Sequence, residues 1–158
     1  GGATLIASGS LSGNSVDIPN IPATYSYLVL QLLDVSFDTA TRAVWVQLSI
    51  DNGSSFDTTA GNYVGYFINS LAGVGNNSNA TLFNGGTVAA AAVTDTTMTL
   101  FGYQGVGYPS AITKAQGTAN AFYTVHYIGS VSAINAIRIL CNSTGNFDAG
   151  TYALYGVS

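Results

Sequence analysis

Residues 43–50 alternate without a break: Val44, Val46, Leu48 and Ile50 fall on one side of an extended chain, Trp45, Gln47 and Ser49 on the other. A period of two is the mark of a strand with one buried face. Residues 62–69, 80–83, 96–103, 121–128, 134–140 and 151–157 read the same way, and shorter runs at 4–8 and 15–18 open the chain. In residues 25–33 both parities are apolar: Leu28, Leu30 and Leu32 stand against Tyr27, Val29 and Leu33. That predicts a central strand, or one whose second face meets a partner. Between the strands lie Gly/Asn/Ser clusters at 73–79 and 84–86, which read as loops. Ile18-Pro19 and Ile21-Pro22 force an extended connection, because the residue before proline is kept out of the α region. Residues 87–93 hold four alanines but no apolar stripe at helical spacing, and read as strand or loop. About eight to ten strands joined by turns, with no crossover helices, predict an all-β, antiparallel β-sandwich of jelly-roll-like design, a single domain over residues 1–158.

Composition changes the picture mainly through charge. Only 6% of the 158 residues are charged, against about 25% in an ordinary soluble domain. Glutamate is absent; seven aspartates face three bases, Arg42, Lys114 and Arg138, for a net charge of −4. Three bases cannot neutralise a run of phosphates or hold a polybasic membrane anchor, so neither nucleic acid nor membrane is an expected partner. No run approaches the ~18 apolar residues of a spanning helix, and no basic stretch precedes an apolar one as in a signal peptide. A surface so poor in charge protects weakly against association, which points to a stable homo-oligomer docked on something larger. Cys141, the lone cysteine, excludes an internal disulfide and reads as a small buried hydrophobe.

The best local motif is Ser49-Ile50-Asp51-Asn52-Gly53-Ser54-Ser55-Phe56. It resembles an Asp-box, a structural turn, with Ser55 and Phe56 in place of the usual Thr and Trp. In a hairpin turn Asp51 accepts backbone N–H bonds, Gly53 supplies positive φ and Phe56 plugs the core. A cation bound by Asp51, Asn52, Ser55 and Asp57 is the alternative, although the loop lacks the bidentate Glu of an EF-hand. Asp51/Asp57 and Asp34/Asp38 are the only close acid pairs, both in turn-like sequence, and His126 is the only histidine. With no Gly-x-Ser-x-Gly elbow either, no catalytic residues, cofactor or metal are expected. In the loop Gly102-Tyr103-Gln104-Gly105-Val106-Gly107-Tyr108-Pro109, Tyr103, Gln104 and Tyr108 are candidates for stacking on a sugar or anchoring a protein, unless the tyrosines fold back over the sandwich edge. Tyr123, Tyr127, Tyr152 and Tyr155 are candidates for a subunit interface, or line one face of the core.

Two patches carry a resemblance. In the first, Ile137-Arg138-Ile139 precedes a turn with Ser143, Gly145 and Asn146, then Gly150, Thr151, Leu154, Tyr155 and Gly156. This is similar to the C-terminal hairpin of a group of small tailed-bacteriophage virion proteins. The second, residues 44–50 with the Asp51–Asp57 turn and Tyr63, resembles an internal strand and turn of the same group. The resemblance implies a β-sandwich on a virion surface, either a capsid decoration (cement) protein or a tail-fibre tip module. It further implies a non-enzymatic oligomer, by expectation a trimer, whose partners are the major capsid protein or other virion proteins. For a tail module the ligand is a host surface glycan.

Overall fold

Leu28, Leu30 and Leu32 are fully buried on one face of β3 (Tyr27–Phe37), and most of the fold is arranged around that strand. The computed structural model describes residues 1–85, 92–117 and 120–158. Among these the chain forms β1 (Ala3–Ser10), β2 (Ser15–Ile18), β3, β4 (Val44–Ser49), β5 (Tyr63–Asn69), β6 (Gly73–Asn77), β7 (Thr94–Phe101), β8 (Ser110–Ala115), β9 (Ala121–Tyr127), β10 (Ala136–Cys141) and β11 (Phe147–Val157). The sole helical element among them is a 3-10 turn at Ala60–Asn62. One sheet has the order β1-β11-β3-β7-β8-β9-β5-β6, the other β2-β10-β4, and every pairing is antiparallel. The expected all-β sandwich is present.

The chain path explains the unequal sheets. β1, β3, β7 and β11 lie in the large sheet and β2, β4 and β10 in the small one, so the chain crosses the sandwich repeatedly in jelly-roll fashion. Two further pairs, β5–β6 and β8–β9, leave that path and extend the large sheet beyond β7. Leu28, Leu30 and Leu32 of β3, Met98 and Leu100 of β7 and Leu154 of β11 meet Val44, Val46 and Leu48 of β4, Ile137 and Ile139 of β10 and Ile18 of β2 in one core. Phe37 and Phe147 stack with ring centres 5.1 Å apart where β3 and β11 end.

The small sheet poses a harder problem at β4. β10 pairs with one edge of β4, and the other edge is buried, where unpaired backbone groups cost free energy. No regular strand pairs with it. Residues 81–85 run beside β4 instead: Leu82 N–H donates to Val46 O and Gly85 N–H to Val44 O, both at 3.0 Å. The Val46 N–H donates to Thr81 Oγ1 at 2.8 Å, and the Leu48 N–H donates to Tyr63 Oη at 3.1 Å. Leu48 O accepts from the Asp57 N–H at 3.0 Å. An irregular segment and two side chains thus do the work of a fourth strand.

Several sequence expectations need correction. Residues 80–83 form no strand, because Thr81 uses its hydroxyl rather than a regular ladder against β4. β6 lies where a loop is expected: Val74 and Asn76 pair with β5 although glycines separate them from any apolar pattern. Gly75 makes room there for the Phe67 ring, which a Cβ would approach to 2.5 Å and displace. β8 went unrecognised because its inward positions are Ala111, Thr113 and Ala115, too small or polar to register as alternation. β10 and β11 make no hairpin; they belong to different sheets and their connection arches across the sandwich. The alanine-rich run at 87–93 falls outside the described residues except for 92 and 93.

Removing either side-chain partner of β4 orphans a buried N–H, which costs about 1–3 kcal/mol. Thr81→Val and Tyr63→Phe are each expected to lower the urea midpoint accordingly at unchanged m-value, while Thr81→Ser, which keeps the hydroxyl, stays near wild type.

Candidate functional site

The strands added to the jelly roll bury one face and leave the other open. Tyr63, Tyr123, Val125 and Tyr127 point into the core from β5 and β9, so the opposite parity projects outward. Antiparallel register aligns that outward set in rows. One row runs Val74, Ile68, Phe122, Lys114, Thr97 and Gln31; the next runs Asn76, Tyr66, Thr124, Ile112, Thr99, Val29 and Tyr155. A third carries Val64, His126, Ser110, Phe101 and Tyr27, with the Phe101 and Tyr27 rings 5.4 Å apart. Tyr66, Ile68, Val74, Ile112 and Phe122 are each more than half exposed. With Val64 and Phe101 they leave on the order of 600 Å² of apolar surface open, at the top of the range for the largest patch on a typical monomer.

The sequence-derived residues are distributed differently. Tyr103 is fully buried: its hydroxyl donates to Pro22 O at 2.6 Å and accepts from the Tyr25 N–H at 3.1 Å. It holds the loop down and has no surface to offer a ligand, which corrects its candidacy as a contact residue. Gln104 Nε2 donates to Tyr25 O at 2.6 Å, so this amide too fastens the loop. Tyr108 alone of the three stands out, 57% exposed beside a still more exposed Val106. Tyr123 and Tyr127 are core residues whose hydroxyls donate to Asn84 O at 2.6 Å and Asp57 Oδ2 at 2.8 Å. Burial raises both phenol pKa values, and the neighbouring Asp57 carboxylate raises that of Tyr127 further. Neither tyrosine can reach another subunit, which corrects that expectation. Tyr152 packs against the core from the inward face of β11, and Tyr155 is the one member of the group on the outer face. The exposed apolar set lies one residue out of phase with the tyrosines, and the sequence carries its signal: Val64, Tyr66 and Ile68 alternate with Tyr63 and Phe67, as Phe122 does with Tyr123.

The Asp51 element is a turn, built as its sequence suggests but placed differently. Asp51 Oδ1 accepts from Ser49 Oγ at 2.7 Å and the Ser55 N–H at 2.9 Å, and Oδ2 accepts from Ser55 Oγ at 2.5 Å. Gly53 has φ 87° and Asn52 φ 57°. β4 and β5 lie in different sheets, so this turn begins a crossing and closes no hairpin. Phe56 does not plug the core as expected: because the turn begins a crossing, its ring is half-buried beneath Arg138, whose guanidinium carbon sits 4.2 Å from the ring centre, and Arg138 also pairs with Asp17 at 2.7 Å. Next along the chain, Asp57 accepts from the Thr59 N–H, Asn62 Nδ2 and Tyr127 Oη. Asp38 accepts from the Asn146 backbone and side chain, Asp95 from the Asp34 N–H, and Asp148 from Ser36 Oγ. Six of the seven aspartates therefore accept hydrogen bonds within the fold. Among the described residues no group of three acidic, histidine or cysteine side chains could hold a metal ion. Cys141 is buried at the end of β10.

Compared with known proteins, the chain matches no protein-family model and no curated protein sequence.

Hydrogen bonds from Ser55 Oγ, Ser49 Oγ and the Ser55 N–H hold the Asp51 pKa down to about 2. Asp38 and Asp57 are lowered too: Asn146 is the main cause for Asp38, while at Asp57 partial burial opposes the charge and its donors outweigh it. A depressed pKa in the folded chain gives stability that is whole above the unfolded value, about 3.9, and is lost as pH falls through the folded one. The urea midpoint is therefore expected to decline from pH 4 to pH 2. Asp51→Asn should flatten that decline without abolishing it, leaving the contributions of Asp38 and Asp57.

Proposed function

We propose that this chain is a non-enzymatic structural protein of a tailed-phage virion, a capsid decoration (cement) protein that sits as a trimer on the outer head surface and reinforces the shell. The observation that carries the proposal is the open, nearly uncharged apolar face of the large sheet. Contiguous patches of that size mark interaction surfaces. The two patches of sequence similar to phage surface proteins supply the setting. The hydrogen-bonded aspartates support a structural role, since their oxygens organise turns and crossings. In this reading, stabilisation comes from added contact area: standard interfaces bury about 1,600 Å², and many copies act on one shell.

A second reading rests on Tyr108. Its exposed ring, on a loop fastened from below by Tyr103 and Gln104, is a preorganised platform of the kind that stacks on a sugar. This favours a receptor- or carbohydrate-binding module of a tail fibre.

Labelled antibody against the purified protein, imaged on intact particles of the phage that encodes it, tests the first reading. Label over the head, with shells lacking the protein rupturing at lower temperature, is the expected outcome. Label confined to the tail, together with glycan-array binding that Tyr108→Ala removes, would replace it with the second reading.

A further inference from the structure

We propose that the outer face of β5, β6, β8 and β9 is where copies of this chain meet, so that a second copy of the same polypeptide covers Tyr66, Ile68, Ile112 and Phe122. The inference rests on the oligomer in the reading above but not on the virion.

Three observations commit the face to another copy. The first is area: the apolar surface left open approaches the roughly 800 Å² that each partner contributes to a standard interface. The second is charge. Lys114 and Asp95 share one shallow groove on this face with Thr97 and Gln116, and Lys114 makes no ion pair among the described residues. A face carrying one base beside one acid is complementary to itself, since the lysine of each copy can meet the aspartate of the next. A strongly charged partner would find nothing on it to match. His126, in the row of Val64 and Ser110, and Tyr66, in the row of Thr124 and Ile112, are the remaining titratable side chains among these strands' outward residues.

The third observation is where the face comes from. β1 to β4, residues 81–85, β7, β10 and β11 make up the two facing layers, with Tyr63 of β5 helping to close β4; the inserted pairs β5–β6 and β8–β9 extend one layer only. Their inward side chains join the common core, and their outward side chains supply the most exposed part of the apolar set. The inward side of the insertions thus serves the sandwich, while their outward apolar side takes no part in its core.

The test is the mass of the intact chain in solution, by sedimentation velocity and native mass spectrometry at micromolar concentration. Wild type is expected to be a closed oligomer. Ile68→Asp and Ile112→Asp, at positions already open to solvent, are expected to weaken association about 100-fold and run as monomers with unchanged circular dichroism. Lys114→Asp should weaken it about tenfold. Val106→Asp, in the loop joining β7 to β8 and outside the three rows, should leave the mass unchanged. Should an aspartate variant fail to fold, Thr124→Arg asks the same question from an exposed polar position in the middle row. A monomeric wild type, or an oligomer that survives these substitutions, overturns the inference. An oligomer that dissociates as expected yet never labels phage heads leaves this inference standing and removes the virion reading. A wild-type monomer that decorates heads does the reverse.

Discussion

The buried hydrogen-bonding edge of β4 is the constraint on which the rest of the structure depends. A three-stranded sheet under an eight-stranded one has to hide that edge, and hidden N–H and C=O groups need partners. The chain supplies them from three places: Thr81 and the backbone of residues 81–85, Asp57 at the start of the crossing, and Tyr63 at the first position of β5. Because the Tyr63 hydroxyl also donates to Asp57 O at 2.8 Å, the same group that closes β4 fixes the crossing that carries the chain to β5. Asn77, at the end of β6, donates to Tyr63 O and Thr81 O, both at 3.0 Å, and completes the arrangement. The inserted β5–β6 pair is thus tied at both ends to the edge it helps to seal. Its position in the large sheet follows from that attachment as well as from its pairing with β9.

This also shows where sequence periodicity stops being informative. β3, β4, β9 and β11 are legible because bulky apolar side chains alternate on one face. Leu28, Leu30 and Leu32 make the central strand evident before any pairing is known. β8 is hidden because its inward positions need small residues, and β6 because the Phe67 ring fills the space where a side chain at position 75 would stand. Residues 81–85 are illegible for a different reason: their role is to satisfy another strand's backbone, which imposes hydroxyl and amide chemistry and no period of two. Sheet membership is less visible still. The turns at 51–57 and 142–146 look like hairpin turns, and nothing local distinguishes a turn that returns to its own sheet from one that crosses to the other.

The candidate surface was half legible for a related reason. Tyrosine abundance points toward an interface, yet Tyr103, Tyr123 and Tyr127 each place a ring in the core and a hydroxyl on a buried acceptor. Tyrosine suits that position as well as it suits an interface, because its ring is apolar and its hydroxyl needs only one partner. The parity rule separates the two uses. Once Val125 is placed inward, Tyr123 and Tyr127 follow it, and Phe122 is forced outward beside Ile68 of β5. Strands apolar on both parities, noted for residues 25–33, recur in β5 and thereby mark the open face.

Magnitudes limit how this face can work. At about 25 cal/mol per Å², an apolar patch of this size corresponds to on the order of 15 kcal/mol of gross burial, while association opposes it with an estimated 4–15 kcal/mol in lost freedom. Area alone therefore does not secure a tight complex; rigidity and register decide the outcome. Here both are favourable. The apolar side chains project from strands whose ladders continue through β9, β8 and β7 to the central β3, so the backbone beneath them is ordered before any contact. Unlike a bare strand edge, a sheet face presents no open ladder that would recruit arbitrary chains. Two of the edges are short or glycine-rich: β2 has four residues and carries Asp17 in its ion pair with Arg138, and β6 is Gly-Val-Gly-Asn-Asn. The longer edge, β1, has eight residues and an irregular register between Leu5 and Ala7. A chain with ten charged residues cannot rely on repulsion to choose its contacts. In the proposed oligomer, selectivity would come from the shape and register of a preformed apolar face rather than from charge.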